Sequence, residues 1–259
     1  MRMMSLLVTA AIMAAPVSPA LAKDEALAKA IAGAHRTPAF VERDKARKPQ
    51  EELEFFGIKP ALTVVEISPG AGYWTEILAP YLKGKGTYYA AVPPGGIDTF
   101  KKRLDANPAL YDEVKVTPLG PGTAIAPAGS ADLVLTFRNV HNWMFGGVAD
   151  QVFAAFFAAL KPGGVLGVEG HRASTAEPQD PKAANGYVRE DYTIELAEKA
   201  GFKYLGKSEM LANPKDTRDW PRGVWTLPPT LALGAQDRDK YVAIGEADNF
   251  VLKFEKPKK

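Results

Sequence analysis

Two of the chain's three histidines follow apolar runs that read as strands. His141 stands in Arg138-Asn139-Val140-His141-Asn142-Trp143, four residues past Phe137, and His171 stands two residues past Glu169. An imidazole is the side chain whose unperturbed pKa lets it take or give a proton near neutrality. His141 is therefore the first candidate for a base or substrate anchor, with Asn139 and Asn142 as orienting groups and Trp143 as a pocket wall. His171, beside Glu169 and Arg172, is the second. The alternative is that these polar residues only tie down a loop. His141, His171 and Glu169 lack a diagnostic metal-ligand spacing, and no metal is expected.

The other chemistry-bearing stretch is Thr63-Val64-Val65-Glu66-Ile67-Ser68-Pro69-Gly70-Ala71-Gly72-Tyr73-Trp74. A β-branched run ends in an acid, breaks on glycines and resumes as the helical pattern Thr75 to Leu82. A strand, a glycine turn and a helix start together aim backbone N–H groups at a ligand. In an open α/β sheet, ligands bind outside the carboxyl ends of the strands. The glycine turn and both imidazoles should therefore share one rim.

The elements that must hold this rim alternate along the chain. Strands are expected at Thr63–Ile67, Gly86–Val92, Val114–Thr117, Ala131–Phe137 and Val165–Glu169. Helices are expected at Thr75–Leu82, Asp98–Leu104, Asp150–Leu160 and Asp191–Ala200, with Lys161-Pro162-Gly163-Gly164 as a sharp turn. Near-continuous apolar strands separated by helices indicate an α/β, doubly wound, mostly parallel sheet covered on both faces. Phe202–Met210 and Asn249–Phe254 read as two strands without a crossover helix between them, which predicts antiparallel closure. Upstream, Asp24–Ala34 reads as a helix carrying a surface His35, and Val41–Phe56 as one charged helix. There Arg43, Asp44 and Arg47 could reach a pocket, but a solvated helix face is the first expectation. Residues 211–248, rich in proline and tryptophan, read as a long structured loop on the substrate side, where Trp220 and Trp225 could cap a cleft.

The composition is that of a globular protein, 46% hydrophobic and 24% charged, and a net charge of +2 gives no electrostatic case for a nucleic-acid partner. The Lys101-Lys102-Arg103 cluster reads as solvated surface. The first 22 residues have the form of a secretory signal: Arg2, an apolar stretch from Leu6 to Ala15, and Ala20-Leu21-Ala22 before Lys23. With that apolar run too short for a stable membrane anchor and no cysteine for lipid attachment, a periplasmic or secreted protein is expected. Residues 23–259 then form a single domain, with 23–58 as a helical cover. Oligomeric state is left open.

These segments resemble the class I S-adenosylmethionine-dependent methyltransferases. Glu66-Ile67-Ser68-Pro69-Gly70-Ala71-Gly72 is similar to their first motif, Asp132-Leu133-Val134-Leu135 to their fourth strand, and Leu160-Lys161-Pro162-Gly163-Gly164-Val165-Leu166 to their turn into strand five. More narrowly, Phe55-Phe56-Gly57, Tyr73 to Leu82, Thr136 to Trp143 and Trp225-Thr226-Leu227-Pro228-Pro229 resemble an exported bacterial methyltransferase-like group. The resemblance covers roughly residue 40 to the end. It implies a seven-stranded sheet with an antiparallel closing strand, S-adenosylmethionine as cofactor, and methyl transfer to a small-molecule acceptor. It places Glu66, Ser68, Gly70, Gly72, Tyr73 and Arg138 at the cofactor, and Trp143, His171, Trp220 and Trp225 at the substrate.

Three departures accompany it. Ser68 stands where the family usually has glycine. The ribose-binding acid at the end of strand two falls at Val92 or Pro93, and the adenine-binding acid falls near Pro121-Gly122. A non-catalytic methyltransferase-like binding protein is the alternative these gaps suggest. A nicotinamide oxidoreductase would need a third glycine or alanine at Thr75 and an acid after strand two, and neither is present.

Overall fold

Strand β1 (Thr63–Ile67) lies inside the sheet, third of its seven strands, with Val64 on one face and Val65 and Ile67 on the other, all fully buried. The computed structural model describes residues 24–258, so the signal-like segment lies outside the described residues. From β1 the chain runs through α5 (Thr75–Leu82), β2 (Thr87–Val92), α6 (Ile97–Asp105), α7 (Pro108–Tyr111), β3 (Lys115–Pro118) and β4 (Ala131–Phe137). It continues through α8 (Val140–Phe145), α9 (Ala149–Ala159), β5 (Leu160–His171), α10 (Glu190–Lys199), β6 (Lys203–Ser208), α11 (Arg238–Ile244) and β7 (Asn249–Glu255). Before β1 come α1 (Glu25–Ile31), α2 (Pro38–Val41), α3 (Asp44–Arg47) and α4 (Pro49–Phe56).

The sheet order is β3-β2-β1-β4-β5-β7-β6. The pairs from β3 to β5 are parallel, and β7 runs antiparallel to both β5 and β6. The seven-stranded doubly wound sheet with an antiparallel closing strand is therefore present. Strand order reverses between β1 and β4, and the crevice at that switch point is where such sheets hold ligands.

One face of the sheet packs Phe153 and Phe156 of α9 against Val65, Val134 and Leu252. The other packs Leu53 and Phe56 of α4 and Ile77 and Leu78 of α5 against Val64, Leu133 and Val251. Each such large buried side chain contributes about 1.5–3 kcal/mol. The two layers fix where the strand ends project.

Three expectations need correction. The segment from Val41 to Phe56 is not one helix, because Lys48 adopts φ +44° and Pro49 has no N–H to continue the ladder. His35 is half-buried and bonded rather than free on the surface. Pro80 inside α5 cannot donate to the Glu76 carbonyl, and the His35 ring nitrogen Nε2 bonds that oxygen instead at 2.7 Å. The turn at residues 161–164 stays within β5 as a register shift against β4, held by Gly163 N–H donating to the Lys256 carbonyl at 2.7 Å. The long loop also contains α11, which its proline-rich surroundings conceal.

Candidate functional site

At the switch point the chain leaves β1 in a left-handed turn. Ser68, Gly70 and Gly72 have φ of +51°, +58° and +91°. Ser68 occupies this region with a Cβ that only glycine avoids, which costs about 1–2 kcal/mol of local strain. The Asn139 amide spans the crevice, donating to the Ile67 carbonyl at 3.1 Å, and so ties the end of β4 to the end of β1. Glu66 below the turn is buried and accepts from the Tyr88 hydroxyl and from Thr75 Oγ1 at 3.0 Å. Burial pushes its carboxyl up to about 7, with those two hydrogen bonds opposing.

A cavity of about 310 Å³ opens above this turn. Trp74 and Phe137 stack at 4.0 Å along one side. Two guanidinium groups stand against Tyr73, that of Arg47 4.2 Å and that of Arg36 5.1 Å from its ring centre, and its hydroxyl donates to Asp44 at 2.6 Å. Opposite, His141 and His171 lie 5.7 Å apart between ring centres, and Trp225 lies 5.8 Å from His141. Burial first, then the Arg138 charge, lowers His141 to about 4; the same causes, with His141 added, hold His171 well below its usual value. Both imidazoles are thus neutral at pH 7. The expectation of a histidine near its ordinary pKa fails because neither burial nor the nearby arginine is visible in local sequence. His171 Nδ1 lies 2.8 Å from Asn249 Oδ1, and with that nitrogen as donor Nε2 carries the free lone pair.

Arg43 and Arg47 also line this cavity, which corrects their assignment to a solvated face. Arg43 grips both oxygens of Glu246 at 2.6 and 2.8 Å. Arg138, at φ +59°, donates to the same carboxylate at 2.8 Å and stands 3.7 Å from Glu169. Glu169 on β5 and Glu52 on α4 are fully buried, and none of their carboxylate oxygens has a hydrogen-bond partner among the described residues. Burial pushes Glu169 up to about 7, with Arg138 opposing, and holds Glu52 well above its usual range, with Glu169 adding to the shift.

Folded Glu169 keeps a proton that the unfolded chain releases near its ordinary value of 4.5. Its stabilising share is full below that pH and is lost as pH rises through about 7. Glu169→Gln fixes the neutral form. Its stability advantage over the native protein should therefore grow by about 3 kcal/mol between pH 4.5 and pH 8, read from urea midpoints. An advantage that does not change with pH would show an ionised, solvated Glu169.

A second cavity, of about 540 Å³, adjoins the first and shares Ser68, Gly70 and Asn139 with it. Val92, Pro93, Phe100 and Trp143 form its apolar walls, and Thr99, Asn142 and Arg103 its polar ones. Asn142 and Trp143 therefore face this second cavity, and Arg103 belongs to it as well as to the solvated cluster. Gly72 lines neither cavity; the Arg103 side chain lies 3.3 Å from where its Cβ would stand. Trp220 also lies outside both, packed on Tyr241 with its indole N–H donating to Asp216 at 2.6 Å.

No protein-family model matches the chain, and no curated relative is found. Among solved structures it is similar to an S-adenosylmethionine-dependent methyltransferase from Aquifex aeolicus, at 15% identity over 85% of this chain and 94% of that one, with a TM-score of 0.58. It is similar also to the [4+2]-cyclase SpnF, at 14% identity over 89% and 91% of the two chains, with a TM-score of 0.59. A third is the arsenic(III) S-adenosylmethionine methyltransferase CrArsM from Chlamydomonas reinhardtii, at 16% identity over 90% and 73%, with a TM-score of 0.51. The chain has the S-adenosylmethionine-dependent methyltransferase fold. A cyclase among these neighbours shows that the methyltransferase fold by itself does not set the reaction.

Whether the two cavities could take a nucleoside depends on the residues that line them. The residues present have the chemistry to hold one, with apolar walls for a base on the Val92 side and neutral donors or acceptors at Ser68, Thr99, Asn139 and Asn142. No aspartate or glutamate lines the second cavity, so a ribose would be held without a carboxylate.

Proposed function

We propose that the protein transfers a methyl group from S-adenosylmethionine to a small-molecule acceptor. The observation that carries this reading is the pair of cavities joined at the β1 turn, one walled for a nucleoside and the other holding two neutral imidazoles. When bound, the cofactor supplies an electrophilic methyl group. Ser68, Gly70 and Asn139 would hold it at the junction of the cavities, with Phe100 and Trp143 along its base.

The chain's own residues then act mainly by positioning. Alignment of two reactants can supply about 7–11 kcal/mol of a barrier, more than a weak base contributes. His141, neutral with its pKa near 4, accepts a hydrogen bond from an acceptor hydroxyl and orients it but cannot hold its proton firmly at neutral pH. His171, oriented by Asn249, offers Nε2 as the second acceptor. Trp225, 38% exposed, lines the cavity beside His141. The reading extends to an exported mature chain beginning at Lys23, which amino-terminal sequencing of the secreted protein would check.

Calorimetric titration with S-adenosylmethionine tests the reading, and absence of binding at millimolar ligand would overturn it. The missing ribose acid supplies a sharper measurement. Val92→Asp should tighten binding about tenfold or more, since a hydrogen bond to a charged group is worth about 1.5–3 kcal/mol. Unchanged or weaker affinity in a folded variant would mean the ribose does not lie there.

A further inference from the structure

The first cavity carries more cationic than anionic groups. Arg43, Arg47 and Arg138 converge on one carboxylate, Glu246. Arg43 and Arg138 take its oxygens, and Arg47 is left at 3.8 Å, beyond hydrogen-bond reach. Arg47 is 6% exposed, and its buried Nε has no hydrogen-bond partner among the described residues. A buried guanidinium without an acceptor is costly, and such a group is stabilised by any anion that reaches it.

The other acids nearby do not restore the balance. Asp44 is occupied by Arg36 in a two-pronged pair at 2.6 and 3.0 Å. Glu66, which lines the cavity, and Glu52 and Glu169 are all buried, and burial favours their protonated forms. His141 and His171 add no negative charge. The cavity that Arg47 lines also carries Phe40, Tyr73, Trp74, Phe137 and Trp225 in its wall, and the Arg47 guanidinium lies 4.2 Å from the Tyr73 ring centre. A space of about 310 Å³ is at the small end of ligand sites and suits a single ring with short substituents.

We propose that the first cavity binds an aromatic carboxylic acid, with its carboxylate on Arg47 and its ring among the aromatic walls, and that this is the acceptor. Its role as acceptor rests on the methyl-transfer reading; its binding does not. A carboxylate on Arg47 at the Tyr73 side directs the far end of the ring across the cavity to His141 and His171. A hydroxyl there would be oriented by the two imidazoles; its oxygen would take the methyl group as the cofactor's sulfur–methyl bond breaks to leave a neutral thioether, and the hydroxyl proton would pass to bulk water.

Benzoate and its neutral counterpart benzamide are the probes, added without cofactor to the mature chain and followed by the fluorescence of Trp74 and Trp225. Benzoate should bind at least tenfold tighter than benzamide, with the gap narrowing as salt rises. Arg47→Gln should abolish the gap and leave benzamide unchanged; if that variant does not fold, Arg47→Lys should keep benzoate binding but weaken it severalfold. Equal affinities for the two probes, or a gap that survives Arg47→Gln, would overturn the proposal.

The cofactor's own carboxylate is the other possible occupant. An Arg47→Gln variant that loses affinity for S-adenosylmethionine but not for 5′-methylthioadenosine, and keeps the benzoate preference, would assign Arg47 to the cofactor and sink the acceptor proposal. If S-adenosylmethionine does not bind while benzoate is still preferred, methyl transfer fails and the carboxylate site stands.

Discussion

Replacing Glu246 with alanine is expected to lower stability by about 3–5 kcal/mol, because it breaks a buried ionic cluster and leaves its cations uncompensated. Glu246 follows α11 and is 10% exposed at its side chain; its partners Arg43, Arg47 and Arg138 are 18%, 7% and 14% exposed. Arg43 and Arg47 come from the amino-terminal helices, and Arg138 from the end of β4. One carboxylate therefore ties the helical cover and the carboxyl-terminal loop to the rim of the sheet. At surface sites an ion pair would count for about 0–1 kcal/mol, but here water cannot replace the lost partner. For a chain of this size the loss corresponds to a fall in Tm of roughly 10 °C. Thermal unfolding of Glu246→Ala and Glu246→Gln would check it, the amide retaining one acceptor oxygen and falling less. A change below about 1 kcal/mol in both would mean that the cluster is solvated.

Glu246 was not legible in the sequence, and the reason is physical. Its bond to Arg43 joins residues 203 positions apart, and nothing in Ile244-Gly245-Glu246 distinguishes it from a surface acid. Arg43 and Arg47 sit in Glu42-Arg43-Asp44-Lys45-Ala46-Arg47-Lys48, which has the composition of a solvated helix. Only the break at Lys48-Pro49 turns that segment over the crevice. Glu52 is concealed in the same way. It lies in a charged run but faces β5, where burial outweighs its polarity.

The strands, by contrast, were legible because their signal is local. Thr63–Ile67 and Ala131–Phe137 are short β-branched or apolar runs bounded by turn residues, and both are found at the expected bounds. The histidines illustrate the intermediate case. Their position after β4 and within the end of β5 follows from strand bounds, so their meeting at one rim could be anticipated. Their protonation could not, because it depends on burial and on Arg138 arriving from a left-handed bend.

Asp216→Ala should unfasten the carboxyl-terminal loop and with it one wall of the cavity. Asp216 is 1% exposed and accepts from the Tyr187 hydroxyl at 3.0 Å, the Trp220 indole at 2.6 Å, and the backbone N–H groups of Arg218 and Asp248 at 3.0 and 2.8 Å. Each donor left without an acceptor costs about 1–3 kcal/mol, so the variant should lose at least about 3 kcal/mol locally. The small core of Tyr187, Val224, Leu227 and Tyr241 depends on this anchor, and Trp225 lies between two of its members. Trp220 thus contributes by holding the loop down, while Trp225 is the residue delivered to the cavity beside His141. Amide exchange should rise across residues 211–248 and stay slow in β1, β4 and β5. Ligand affinity in the first cavity should fall severalfold through the displaced Trp225. A variant whose loop remains protected would place the anchor elsewhere, whereas exchange rising equally in loop and sheet would show that the loop is part of the global folding unit.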